Sequence, residues 1–114
     1  MPWFKVDDTL ALHHKAVAAG NSAMGLWVRA GSWSMQTLSD GFIPDVIVST
    51  LGSHGQAKKL VEVGLWDRLA TGYAFHEWSE RQPTKAEVRQ ERADNKRRQK
   101  EWRDRKRKER EGDA

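Results

Sequence analysis

Apolar residues crowd the first 83 positions of the 114-residue chain, and their spacing changes several times along it. Trp3-Phe4-Lys5-Val6 reads as a short strand or extended lead-in. Asp7 or Asp8 then caps a helix with Leu10, His13 or His14, and Val17 on one face, ending at Gly20. Asn21 or Ser22 opens a second helix, in which Met24, Trp27, Val28 and Gly31 follow the i, i+3, i+4, i+7 pattern. Trp33, Met35 and Leu38 continue it. Gly25 and Gly31 lower helix stability, which is tolerable where another backbone packs closely. Ser39-Asp40-Gly41 is a turn signal. Phe42-Ile43-Pro44 follows as extended chain, because proline disfavours helix at the residue before it. A short third helix from about Pro44 to Leu51 is expected to bury Ile47 and Leu51, with Pro44 suited to its first position. After a turn at Gly52-Ser53-His54-Gly55, a fourth helix from Gln56 to about Val63 turns Ala57, Leu60, Val61 and Gly64 inward. Lys58, Lys59 and Glu62 fall on its outer arc, with Gln56 at the edge.

The period then switches. Leu60, Val61 and Gly64 keep helical spacing, whereas Leu65, Tyr73 and Phe75 alternate around a polar Ala70-Thr71-Gly72 turn, which predicts a hairpin reaching to His76 and Trp78. Gln82-Pro83-Thr84 ends this body. Thr84 with Glu87 has capping-box spacing, opening a last helix from about Lys85 to Arg110. In it Asp94–Arg98, Glu101–Arg105 and Asp104–Lys108 set acid four residues before base, each such pair contributing about 0.2–0.5 kcal/mol to a helix. Its apolar residues form no stripe, since Val88 and Trp102 stand far apart, so a long, exposed, partly frayed helix is expected and not a coiled coil. The fold class is therefore mainly α with a small β-hairpin. Residues 1–83 form one domain and residues 84–114 a charged helical tail.

The order short helix, glycine-containing turn, helix, hairpin is that of a winged helix-turn-helix. A helix of that width fits a DNA major groove. Its apolar arc would hold it to the body, leaving Gln56, Lys58, Lys59 and Glu62, with the turn residues Ser53 and His54, toward DNA. The hairpin tip, Arg68 to Thr71, would reach the flanking backbone. Charge sharpens this picture. Residues 1–83 carry seven Lys and Arg against eight Asp and Glu, whereas residues 84–114 carry thirteen against eight. The basic character belongs to the tail, and a basic tail suits a polyanion. Ten basic residues stand against three acids in Lys96–Arg110. The tail candidates for phosphate contact are Lys96, Arg97, Arg98, Lys100, Arg103, Arg105, Lys106, Arg107 and Lys108, which would neutralise phosphates and make binding salt-dependent. Trp102 is expected to be packed or exposed in preference to stacking on a base.

Other chemistry is not encoded. The chain has no cysteine, hence no disulfide or thiolate. No run of 18 apolar residues exists to span a membrane, and the Met-Pro-Trp-Phe opening is not a signal peptide. A cytoplasmic location fits both. His13 and His14 are adjacent and diverge by about 100° on a helix, His54 sits in the turn, and His76 is read as a partly buried strand residue. No spacing among them resembles a zinc site, so no metal is expected. Gly52-Ser53-His54-Gly55 lacks the Lys-Ser/Thr of a phosphate loop, and no nucleophile–base pairing is favoured. The expectation is a non-enzyme without cofactors.

One resemblance adds to this reading. Its residues are Trp3-Phe4-Lys5-Val6-Asp7-Asp8, Ala23-Met24-Gly25-Leu26-Trp27, Asp40-Gly41-Phe42-Ile43-Pro44, Leu60-Val61 to Gly64-Leu65-Trp66, Gly72-Tyr73 with Phe75-His76-Glu77-Trp78, and Gln82-Pro83-Thr84. Over about residues 3–84 the chain resembles the small winged-helix proteins of actinobacteriophages that bind DNA or initiate replication. More distantly, it is similar to the N-terminal domain of phage replisome organisers and DnaD-like primosomal proteins. The resemblance implies a duplex-DNA-binding winged helix serving phage replication in the host bacterial cytoplasm, with replication proteins or a second copy of itself as partners. The chain lacks room for the second domain of full-length organisers, so helicase loading is not expected of it. Two alternatives stay open: a transcriptional regulator with the same DNA face, or a protein–protein adaptor whose basic tail binds RNA.

Overall fold

A computed structural model describes residues 2–112. Met1, Asp113 and Ala114 lie outside the described residues, so the last two positions of the expected tail are not covered. The chain divides into two compact units, residues 1–84 and 85–114. The first is mainly helical with a small three-stranded antiparallel sheet; the second is a single helix. No helix among the described residues is long and apolar enough to cross a membrane.

The first unit begins with an extended segment and a single 3-10 turn at Leu10–Leu12, where a full helix was expected. Asp7 does not cap a helix: its carboxylate accepts from the Thr9 backbone N–H at 2.8 Å and the Thr9 hydroxyl at 2.6 Å, a local turn that competes with helix formation. Helix α1 (His14–Thr37) follows, with the His13 ring accepting from the Lys15 N–H as its cap. Gly20 interrupts α1 with φ 80° and ψ 165°, so the expected break stands there, in a conformation glycine adopts most readily.

Beyond Gly20 the buried face of α1 carries Ala23, Leu26, Trp27, Ala30, Gly31, Ser34 and Met35. That stripe keeps Trp27, Gly31 and Met35 of the expected one but not Val28, which is 45% exposed; before Gly20, the expected inward Val17 is 64% exposed. Small alanines, invisible to a search for large apolar residues, take the inward positions. Gly31 is needed because the Phe4 ring lies on it: a Cβ there would sit 2.3 Å from the ring tip. The close neighbour is a side chain and not the backbone expected. Gly25 faces open space and has no such reason.

Three strands follow, β1 (Phe42–Pro44), β2 (Trp66–Arg68) and β3 (Gly72–Phe75), in the order β1-β3-β2. The hairpin of β2 and β3 was expected; its pairing with the extended Phe42–Pro44 was not. Ile43 opposes Tyr73, and Pro44 opposes Gly72, on an edge strand where the missing proline N–H costs no ladder bond. Gly72 permits the close approach: a Cβ would lie 2.3 Å from the Ile43 carbonyl oxygen.

Between β1 and β2 lie helices α2 (Asp45–Leu51) and α3 (His54–Glu62). In α2 the buried residue is Val48, at 0% exposure, while Ile47 and Leu51 are only half-buried. In α3, Ala57 and Leu60 are buried, both at 0%, and Val61 is half-buried, as is Gly64 just past the helix end. The aromatic residues meet in one cluster. Phe4, Trp27, Phe75 and Trp78 approach with ring centroids 5.0–6.0 Å apart. Trp66 joins through Phe75 and Tyr73 at 5.4 and 5.6 Å. Gln82, buried in the same unit, holds the N-terminal segment: its amide donates to the Lys5 carbonyl at 2.6 Å and accepts from the Lys5 N–H at 2.9 Å. A short helix, α4 (Trp78–Arg81), closes the unit. The second unit is helix α5 (Lys85–Gly112).

Candidate nucleic-acid interface

The connection between α2 and α3 is only Gly52-Ser53. His54 and Gly55, expected in a four-residue turn, already belong to α3. The cause is a capping box: the Ser53 hydroxyl accepts from the Gln56 N–H at 3.2 Å, and the Gln56 side-chain carbonyl accepts from the Ser53 N–H at 2.9 Å. Gln56 also donates to the Ser22 hydroxyl on α1 at 2.7 Å. Gln56, expected to be free for DNA, thus has both ends of its amide engaged within the protein. Ser53 is likewise committed as the cap. The Ser-x-x-Gln spacing carried this signal in the sequence. Gly52 makes room for it, since a Cβ there would meet the Gln56 oxygen at 2.3 Å.

Lys58, Lys59 and Glu62 occupy the outer arc of α3, all exposed, opposite the buried Ala57 and Leu60. Neither lysine has an ion-pair or hydrogen-bond partner among the described residues, so both ammonium groups are available to an anion. Glu62 lies one turn beyond Lys58 and would repel a phosphate there.

The hairpin is short, with Leu69-Ala70-Thr71 as its tip, closed by a Leu69 N–H to Gly72 carbonyl bond of 2.8 Å. Thr71 is exposed, and its carbonyl accepts from the Asp45 N–H at 3.1 Å. Arg68, expected to reach the flanking backbone, is exposed but already engaged. Its guanidinium makes a two-pronged contact with the Asp45 carboxylate, at 2.5 and 3.2 Å, and lies 4.6 Å from the Tyr73 ring centre. The hydrogen bond from Arg68 holds the Asp45 carboxyl below its ordinary range, and the same contact raises Arg68. His54 extends the network: one ring nitrogen stands 3.1 Å from the Ser49 hydroxyl and the other 3.4 Å from the Tyr73 hydroxyl. Asp45, Ser49 and Tyr73 thus belong to this surface, although nothing in the sequence paired them with Arg68 and His54. Separations of 19 and 23 residues put such contacts beyond local pattern reading.

The remaining histidines sit differently from the sequence reading. His13 lies just outside α1, and its ring stacks on His14 at 4.5 Å. His76 lies past the end of β3 and is exposed, with nitrogens 3.1 Å from Asp67 and 3.4 Å from Glu77. Among the described residues no group of three or more histidines and carboxylates is placed to hold a metal ion.

Within α5 the ion pairs differ from the expected set. Arg97 is shared between Asp94 at 3.4 Å and Glu101 at 4.0 Å, Lys106 meets Glu109 at 3.5 Å, and Arg107 meets Asp104 at 3.4 Å. Three of these four pairs span three residues and not four. Arg98 turns to Asn95, so Asp94 is not its partner. Lys96, Lys100, Arg103, Arg105 and Lys108 have no such partner among the described residues. Trp102 is 54% exposed, with the Lys106 ammonium 5.9 Å from its ring.

Comparison of the chain with protein-family models, curated proteins and solved structures yields no match.

Proposed function

We propose that this chain is a non-catalytic, duplex-DNA-binding winged-helix protein. One observation supports the reading above others: the order α1, β1, α2, α3, β2, β3 closes into a sheet of order β1-β3-β2, which is the connectivity of a winged helix. In that arrangement α3 is the recognition helix and the β2–β3 hairpin the wing. Lys58 and Lys59 are then the groove-facing cations, and α5 adds sequence-independent attraction. A task in phage replication initiation or replisome organisation rests on the sequence resemblance alone. Transcriptional regulation would use the same DNA face.

A protein–protein adaptor is the second reading, favoured by the net charge of −1 on residues 1–83 (seven basic against eight acidic). Fluorescence anisotropy of a labelled duplex, titrated with the full chain over a salt series, separates the two. For a groove reader, Lys58→Ala with Lys59→Ala weakens binding and flattens the slope of log K against log salt by about 1.8, at about 0.9 per phosphate. An unchanged slope and affinity would favour the adaptor.

A further inference from the structure

Helix α5 sorts its charges by face. At about 100° per residue, Arg89, Arg92, Lys96, Lys100, Arg103 and Arg110 fall within about 40° of one line along the helix. All six are exposed, and none has an ion-pair or hydrogen-bond partner among the described residues. Arg107 falls on the same line and is shared with Asp104. Glu87, Glu91, Asp94, Glu101 and Glu109 lie about 140° or more away from that line. Of the cations off the stripe, Arg97 and Lys106 are paired with those acids. Arg98, Arg105 and Lys108 also lie off the stripe without an acidic partner among the described residues, so five cations there balance the five acids. The excess positive charge of the helix runs along the ridge, flanked by Asp104 and Glu111. From Arg89 to Arg110 the ridge runs about 32 Å at about 1.5 Å per residue, close to one turn of B-DNA at about 34 Å. Apolar residues do not share the ridge, so hydrophobic docking against a protein is not what it offers.

We infer that α5 lies lengthwise along the phosphate backbone of duplex DNA, meeting it with the Arg89–Arg110 ridge alone. The far side of the helix stays in solvent. A one-sided ridge gives a fixed helix orientation, which a diffuse basic tail would not. The inference rests on the duplex-binding reading but on α5 only, and it is independent of what α3 does. It adds Arg89, Arg92 and Arg110 to the contact set and removes Arg97, Arg98, Arg105, Lys106 and Lys108.

The test compares two full-length variants of equal net charge by duplex anisotropy over a salt series. Arg92→Gln with Lys96→Gln and Arg103→Gln empties the ridge. Arg97→Gln with Arg98→Gln and Arg105→Gln removes three charges from the other side. Glutamine keeps helix propensity close to that of lysine and arginine, and circular dichroism verifies it. The ridge variant should flatten the salt slope by about 2.7, at about 0.9 per phosphate, and the off-ridge variant by less than about 1. Equal losses in both would overturn the inference, because affinity would then follow net charge. Ridge-dependent binding to polyglutamate or anionic vesicles, with none to duplex, would overturn it too. A ridge effect beside an inert Lys58/Lys59 double variant would keep this inference and remove the groove reading.

Discussion

At the scale of single residues, contacts within the protein decide which polar side chains remain for a partner. Ser53 and Gln56 spend their hydrogen bonds on the start of α3. Ser53→Ala is expected to destabilise the fold by about 1 kcal/mol, the usual cost of losing an N-cap, measured as a lower urea midpoint with unchanged cooperativity. Lys58→Ala should leave that midpoint where it was, since no intramolecular contact goes with it. Asp45 and Arg68 make a sharper case. The carboxylate occupies the guanidinium that a phosphate would use. Asp45→Asn should tighten duplex binding and steepen its salt dependence by up to about 0.9, one phosphate's worth. The same change in an Arg68→Gln background should give a smaller gain; an equal gain would mean that Asp45 acts only by repelling DNA. The pair also carries a pH signature. A carboxyl lowered by folding contributes stability that is full above its unfolded value and fades as pH falls through the folded one. The wild-type advantage over Asp45→Asn should therefore be flat down to about pH 4 and shrink below it, followed by urea unfolding at stepped pH.

At the scale of elements, the sequence located most boundaries and missed those set by particular side-chain bonds or by distant strands. The Gly20 break, the α2 and α3 helices and the β2–β3 hairpin were legible from glycine, proline and apolar spacing. The 3-10 turn at Leu10–Leu12 was not, because Asp7 bonds to Thr9 and does not cap a helix. Nor was the pairing of Phe42–Pro44 with β3, which depends on a strand some thirty residues later. In α2 Val48 is the buried residue and not Ile47 or Leu51, on a helix whose last turn is held to α1 by Arg29 donating to the Leu51 carbonyl at 2.7 Å. Residue size alone could not reveal this. Gly72→Ala tests the sheet. Its Cβ would collide with the β1 backbone, so the variant should lose thermal stability more than Gly25→Ala, whose Cβ meets nothing. Gly25→Ala should gain up to about 1 kcal/mol by helix propensity. Differential scanning calorimetry reads both.

At the scale of the whole molecule, charge and fold are divided between the two units. The body supplies shape, a groove-sized helix and two unpaired lysines; the tail, thirteen basic against eight acidic residues, supplies all of the net positive charge. A chain ending at Thr84 should bind every duplex more weakly and with a flatter salt slope, while keeping whatever preference among sequences the intact chain shows. Gel-shift competition with unlabelled duplexes would measure this. The central claim is that the outer side of α3 meets DNA, and amide chemical-shift mapping of the full chain with and without duplex tests it most directly. The account predicts that the largest shifts in residues 2–84 fall on Ser53–Val63 and on the 68–72 hairpin tip. Shifts confined to α5, or centred in the body on Lys5–Leu12, would contradict it.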